Sequence, residues 1–249
     1  MSVVRVAADS HALAREAADL VASVLRDAVT ARGAAHALFA TGNSQLEFLD
    51  RLVENPSIPW SAVVGFHMDE YIGIGPDHSA SFARYMQERF VDRMHPRAFH
   101  LIDGLAGPEV ECARYQALLH EFPLDLCVLG IGENGHLAFN DPPVADFDDP
   151  LDVKVVELDV ECRRQQVGEG HFPSFDAVPT HAITVTIPAL LRAGAVVAIV
   201  PEARKADPVA AALEGPVTTA CPASKLQDCD HAVVYLEPAS AARLRSSSR

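Results

Sequence analysis

Three residues of types that can move protons or hold an anion, Asp69, His136 and Lys205, each stand just past a short apolar run. Four such run-to-patch junctions recur along the chain. Ala35 to Ala40 leads into Thr41-Gly42-Asn43-Ser44, and Val63 to Phe66 into His67-Met68-Asp69-Glu70-Tyr71. Leu126 to Ile131 leads into Gly132-Glu133-Asn134-Gly135-His136, and Val196 to Val200 into Pro201-Glu202-Ala203-Arg204-Lys205. If the runs are parallel strands of one sheet, the patches converge on a crevice at the carboxyl ends, where open α/β sheets bind ligands.

Each patch has a chemical reading and a plainer one. Gly42, followed at once by a helix start, suits an anion held on free N–H groups; Ser44-Gln45-Leu46-Glu47 also fits a capping box, which would employ Ser44 structurally. Of the adjacent Asp69 and Glu70, only one can face the crevice, because neighbouring strand side chains point to opposite faces. A partly desolvated carboxylate there suits a general base, and an ion pair is the alternative. Three glycines in Gly130 to Gly135 predict a sharp turn or a close approach to a ligand, which would hold His136 at the rim, with Asn134, Asn140 and Asp141 near enough to orient its ring. Lys205, predicted just inside a helix, could reach an anion or simply be solvated. A glycine-lined anion cradle with a lysine, a carboxylate and a histidine suits proton abstraction beside the carbonyl of a phosphorylated sugar.

These junctions need strands and covering helices. Periodicity predicts helices over 11 to 32 (capped by Ser10 and stopped by Gly33), 45 to 54, 80 to 94, 109 to 121 and 203 to 213. Strands are predicted at 35 to 40, 62 to 67, 98 to 102, 125 to 131, 153 to 158, 182 to 187, 195 to 200 and 232 to 236. The expected fold is α/β: a three-layer, open, mostly parallel twisted sheet with helices on both faces, Rossmann-like. One domain over 1–249 is expected, with an irregular, lid-like segment at 141–179 and a frayed tail at 243–249. The chain has 249 residues, 49% of them apolar, enough for a substantial core. A formal net charge of -14 disfavours nucleic acid and anionic membrane as partners. Five cysteines without C-x-x-C spacing read as reduced thiols, and no stretch reads as a membrane span or a signal peptide, so a cytoplasmic protein is expected. The histidines lack zinc-enzyme spacing, and no metal is demanded.

In this order the motifs resemble the glucosamine-6-phosphate deaminase (isomerase) family, related to 6-phosphogluconolactonase. The resemblance runs from Ala40 to about Pro238. It rests on Met68-Asp69-Glu70-Tyr71 with His78 and Ser81, on Gly130 to Asn140, and on Val178-Pro179 through Thr184, with Leu213-Glu214-Gly215 and Pro222-Ala223-Ser224 in support. Tyr71 and Phe139-Asn140 look like the deaminase branch rather than the lactonase branch. The resemblance implies that Asp69 shuttles a proton between C1 and C2 of an opened amino sugar. It implies that His136 handles the ring-oxygen proton with Asn134 and Asp141 orienting it, and that Thr41, Gly42, Asn43, Ser44 and Lys205 hold the phosphate. The implied partner is a phosphorylated amino sugar, with no organic cofactor or metal; assembly as monomer or homo-oligomer stays open.

Three departures stand out. Asn134 replaces a common Asp, Asp141 is one methylene shorter than the usual Glu, and no arginine stands near Gly170-His171-Phe172, leaving Arg163 or Arg164 as stand-ins or a different substrate. The segment Asp148 to Lys154 is acidic where some bacterial members bind an activator, so that control is expected to be absent. A sugar-lactone hydrolase and a non-catalytic sugar-phosphate sensor are the alternative readings.

Overall fold

The computed structural model describes residues 2–245. Seven strands form one sheet: β1 (Val3–Val6), β2 (Ala35–Phe39), β3 (Val63–His67), β5 (Ala98–His100), β6 (Leu126–Leu129), β9 (Ala195–Val200) and β10 (Ala232–Leu236). Their order is β1-β10-β9-β6-β2-β3-β5, and every pairing is parallel. The chain builds outward in one direction from β2 through β3 to β5, and in the other from β6 through β9 to β10. The β2/β6 boundary is therefore a topological switch point, and the four polar patches leave the four adjacent strands around it.

Alternation along these strands divides the core between the two faces. Ala35, Ala37 and Phe39 of β2, Leu126 and Val128 of β6, and Val197 and Ile199 of β9 pack under α1 (Ser10–Arg32) and α2 (Leu46–Val53). Leu38, Cys127, Leu129, Val196, Ala198 and Val200 face the other way. There they meet α5 (Pro108–Glu121), α7 (Ile187–Leu191) and α8 (Ala206–Glu214). Burial on both faces explains why these strands read as unbroken apolar runs. Gly33 stops α1 at φ 77, as expected, but the N-cap is Asp9, whose carboxylate accepts from the Ala12 N–H at 2.8 Å; Ser10 is already helical.

Two predicted strands belong elsewhere. β7 (Val153–Glu157) and β8 (His181–Val185) join β4 (Asp69–Tyr71) in a separate antiparallel sheet of order β4-β8-β7. Residues 141–179 are also more ordered than their weak periodicity suggests, since they carry β7 and α6 (Val160–Gly168). The short edge strand β1 and the short β4 were not predicted. The remaining helical stretch, α3 (Phe82–Met86), runs through a wide turn over Gln87–Val91 into α4 (Asp92–Met94). Of the expected frayed tail, residues 246–249 lie outside the described residues. No helix among the described residues is long and apolar enough to cross a membrane.

Candidate active site

The exits of β9, β6, β2 and β3 surround an open cleft. Thr41, Gly42, Ser44, Asp69, His136 and Lys205 all line it. Asn43 does not: its side chain opens onto an adjoining groove with Leu46, Ser79 and Arg84.

The cradle after β2 depends on backbone geometry. Gly42 adopts φ 101, ψ 167, which only glycine enters at little cost. The turn Asn43–Gln45 follows, and its first internal bond is Gln45 N–H to the Gly42 carbonyl at 3.1 Å. The N–H groups of Asn43 and Ser44 thus precede the helical ladder and are open to an anion. Tyr85 donates to the Gly42 carbonyl at 3.0 Å and fixes the loop. The capping box is not formed, because Ser44 makes no cap bond; its hydroxyl accepts from the Gln45 amide at 3.1 Å and lines the cleft.

Asp69 and Glu70 divide as strand alternation requires. Glu70 turns away, accepting from the N–H groups of Tyr71, Phe82 and Ala83 and from the Ser81 hydroxyl at 2.7 to 3.1 Å. It thereby ties β4 to the start of α3. Asp69 is 5% exposed and has no hydrogen-bond partner among the described residues. Burial, then the nearby charges of Glu70 and Asp141, raise its carboxyl well above the usual range. Just upstream, His67 Nε2 accepts from the Ile102 N–H at 2.7 Å, and the Tyr115 hydroxyl bridges the His67 backbone. Burial, helped by Arg114, pushes the His67 pKa down to about 3, so this neutral imidazole anchors the strand exit.

At His136 the imidazole Nδ1 lies 2.8 Å from Asn134 Oδ1 and 2.9 Å from Asp141 Oδ1. Both are acceptors, which places a proton on Nδ1 and makes Nε2 the ring nitrogen left for a ligand. Asn134 Nδ2 donates to Asp141 at 2.9 Å, closing a three-residue ring. Asp141 therefore reaches His136 despite its shorter side chain, and it supplies the negative charge that Asn134 lacks. Burial alone would raise the Asp141 pKa, but the hydrogen bond and charge of His136, with Asn134 and the Asp159 N–H, bring it below the usual value. Asn140 holds this loop to β8 through the carbonyls of Leu137 and Val185, at 2.8 and 2.9 Å.

Gly132 approaches the His136 ring closely. A Cβ built there would overlap the His136 ring at Cε1, Nε2 and Cδ2. Gly132→Ala is accordingly expected to displace the ring and lower kcat by roughly 10²-fold with the fold intact, which steady-state kinetics and circular dichroism would check.

Lys205 ends the turn Ala203–Lys205 that precedes α8, rather than lying within that helix. It is 4% exposed and, like Asp69, has no hydrogen bond or ion pair among the described residues. Burial and the adjacent Arg204 lower its pKa, opposed by Glu169, Glu133 and Glu202. Glu202 sits at φ 79, unusual for a side-chain-bearing residue, with Glu237 accepting its N–H at 2.8 Å. Arg204 is occupied by Glu202, Glu133 and Glu169.

Neither proposed stand-in arginine enters the cleft. Arg163 donates to the carbonyls of Phe175 and Val178 and lies 4.0 Å over the Phe175 ring; Arg164 lines a separate groove with Glu161 and Arg204. His171 lines the cleft instead, together with Gln165, Gln166 and Glu169. The sequence reading missed this wall because α6 has no apolar stripe: only Cys162 and Gln166 are buried in it. Its signal was a helix whose polar residues recur at one and four positions, Gln165, Gln166 and Glu169.

His136, Asp141 and Cys162 present donor atoms within 4.8 Å of one another, and are the residues that could hold a divalent ion. Cys162 suits this poorly, because burial, then Asp141, raise its thiol pKa far above the usual value and keep it protonated.

Residues 8–235 match the family described as glucosamine-6-phosphate isomerases/6-phosphogluconolactonase. The chain belongs to that family. Among curated relatives, glucosamine-6-phosphate deaminase of an Exiguobacterium species is 34% identical over 209 residues, covering 84% of this chain and 80% of that protein. The deaminase of Streptococcus equi subsp. zooepidemicus is 32% identical over 223 residues, covering 89% and 92%. Among family members of known structure, a monomeric glucosamine-6-phosphate deaminase superposes with a TM-score of 0.88 at 26% identity, covering 97% of this chain and 99% of that one. A 6-phosphogluconolactonase from Shewanella baltica shares the fold, with a TM-score of 0.79 at 22% identity over 95% and 98% of the two chains.

Proposed function

We propose that the chain converts a 2-amino-2-deoxyhexose 6-phosphate, foremost glucosamine 6-phosphate, and water into fructose 6-phosphate and ammonia. The carrying observation is that Asp69 and Lys205, buried and without a hydrogen bond or ion pair among the described residues, line one cleft with His136. Lys205 and the N–H groups of Asn43 and Ser44 take the phosphate, with Thr41 and Gly42 shaping its seat. His136 Nε2 carries the ring-oxygen proton as the sugar opens, and Asp141 and Asn134 hold the imidazole for that transfer. Asp69 then removes the proton from C2 and returns it to C1; water adds at C2 of the resulting imine, and ammonia leaves.

Tyr71 favours the deaminase branch on physical grounds. It is fully buried and packs on Phe82, Phe139 and Phe172 at 5.0 to 5.3 Å, and Phe82 and Phe139 line the cleft. The arginine typical of the lactonase branch would bury a cation among those rings. The basic groups beside the acidic 148–152 stretch are already engaged, Lys154 by Asp149 and Arg192 by Asp152, both at 2.7 Å, which supports the absence of an activator site there.

The test is to incubate the purified protein with millimolar glucosamine 6-phosphate and quantify fructose 6-phosphate and ammonia. Stoichiometric formation of both is expected, with 6-phosphogluconolactone left at its spontaneous hydrolysis rate. No turnover of glucosamine 6-phosphate or of its galactosamine epimer would refute the proposal.

A further inference from the structure

Three polar side chains in the cleft wall are more than nine-tenths buried and have no hydrogen-bond partner among the described residues: Asp69, Lys205 and Gln166, at 5%, 4% and 6% exposure. The proposed reaction gives the first two an occupant and leaves the third without one. The neighbours of Gln166 on the same wall are spent. Gln165 accepts from the Glu133 N–H at 3.2 Å and donates to Glu169 at 2.9 Å. Glu169 is held in addition by Arg204 at 2.7 Å and His171 at 3.3 Å, and although burial would raise its pKa, these hydrogen bonds bring it down to about 2.

The amide atoms of Gln166 still reach the open cleft, and a ligand that fills the cleft must complete their hydrogen bonds or leave them unpaired at a cost. Gln166 is neutral, so it adds no charge beside Asp69, and its amide can donate and accept at once. That matches an alcohol, which also donates and accepts, whereas a phosphate would use only its donor and an ammonium only its acceptor. In a hexosamine 6-phosphate, the phosphate is taken at Lys205 and C1 and C2 at Asp69 and His136. The hydroxyls on C3 and C4 remain. We infer that Gln166 hydrogen-bonds the C3–C4 hydroxyls of the substrate and is a specificity-determining residue of this cleft. A sugar lacking the hydroxyl it reads leaves the amide buried and unpaired, which is how a polar pocket rejects a deoxy analogue.

This inference rests on the proposed function and deepens it. Its test uses 2-amino-2-deoxyglucitol 6-phosphate, an open-chain analogue with no carbonyl to react, and its 3-deoxy and 4-deoxy forms. Binding of each is measured by calorimetry to wild type and to Gln166→Met, which keeps the length of the side chain and removes its polar atoms. Wild type is expected to bind the parent at least about tenfold more tightly than one of the deoxy forms. Gln166→Met is expected to bind that pair equally, with unliganded melting at or above that of wild type. A variant that keeps the wild-type discrimination, or loses the same factor for every analogue, would overturn the role of Gln166. If wild type releases ammonia from glucosamine 6-phosphate while the discrimination survives in the variant, only this inference fails. If wild type neither turns over nor binds the amino sugars, the functional reading fails and this one falls with it.

Discussion

Asp69→Asn is expected to lower kcat by roughly 10²–10⁴-fold, the range for loss of a positioned general base, while KM changes little. The same substitution should make the protein more stable at neutral pH. In the fold the Asp69 carboxyl is raised well above its ordinary value by burial and by Glu70 and Asp141. The native state thus holds that proton more tightly than the unfolded chain, and stability falls as pH climbs from the unfolded value, about 3.9, through the raised folded one. Asparagine carries no such penalty. Its advantage in melting temperature should be full above the folded pKa and vanish below about pH 3.9, each kcal/mol amounting to roughly 2–4 °C at this chain length. In wild type, the acid limb of kcat/KM should lie above the ordinary carboxylate range, because the base must first lose its proton. Equal melting temperatures at pH 7, or near-normal turnover in Asp69→Asn, would place the base elsewhere.

Lys205→Met is the second large effect, with the same opposition between function and stability. An ammonium 4% exposed and lacking an ion-pair partner is a liability until an anion arrives. Removing it should raise KM for the sugar phosphate on the order of 10²-fold, in keeping with the ~2–5 kcal/mol typical of truncating a buried charge pair. The unliganded variant should melt above wild type. The Lys205 pKa is lowered in the fold, so the unfolded chain holds its proton more tightly and the penalty is full below the folded pKa. It fades as pH rises through the lowered folded value towards the ordinary lysine value, about 10.4. Saturating sugar phosphate should lift the melting temperature of wild type well above its unliganded value and that of the variant much less. Kinetics and paired thermal scans check both halves; an unchanged KM would remove Lys205 from the phosphate seat.

The central sheet was legible because strands covered on both faces must be apolar throughout, and β2, β3, β6 and β9 are. Their exits were legible for the same reason, since a polar and glycine-rich patch breaking such a run marks the rim. The antiparallel sheet was not. β4 is three residues long and continues almost directly from β3, so nothing in its letters separates Asp69 from the strand before it. β7 carries Lys154 and Glu157 and β8 carries His181 and Thr184, but these letters do not say which sheet the strands join; that is set by the pairing of β8 with both β4 and β7.

The side chains proposed as catalytic were read from residue type beside a strand end, and the division of Asp69 from Glu70 followed from strand alternation alone. The α6 wall was hidden because a helix that presents polar residues to a cleft gives no amphipathic signature. The reach of Asp141 to His136 depended on a three-dimensional fact, that the turn at Gly135, with φ 82, folds residues 134, 136 and 141 onto one another.

The central claim is that one sugar phosphate spans the cleft from Lys205 to Asp69. A crystal structure with 2-amino-2-deoxyglucitol 6-phosphate bound tests it most directly. The expected result is a phosphate within about 3 Å of Lys205 Nζ and of the Asn43 and Ser44 nitrogens, with C2 facing Asp69. A phosphate seated instead in the neighbouring groove of Arg164 and Arg204, with the sugar turned away from Asp69, would contradict it.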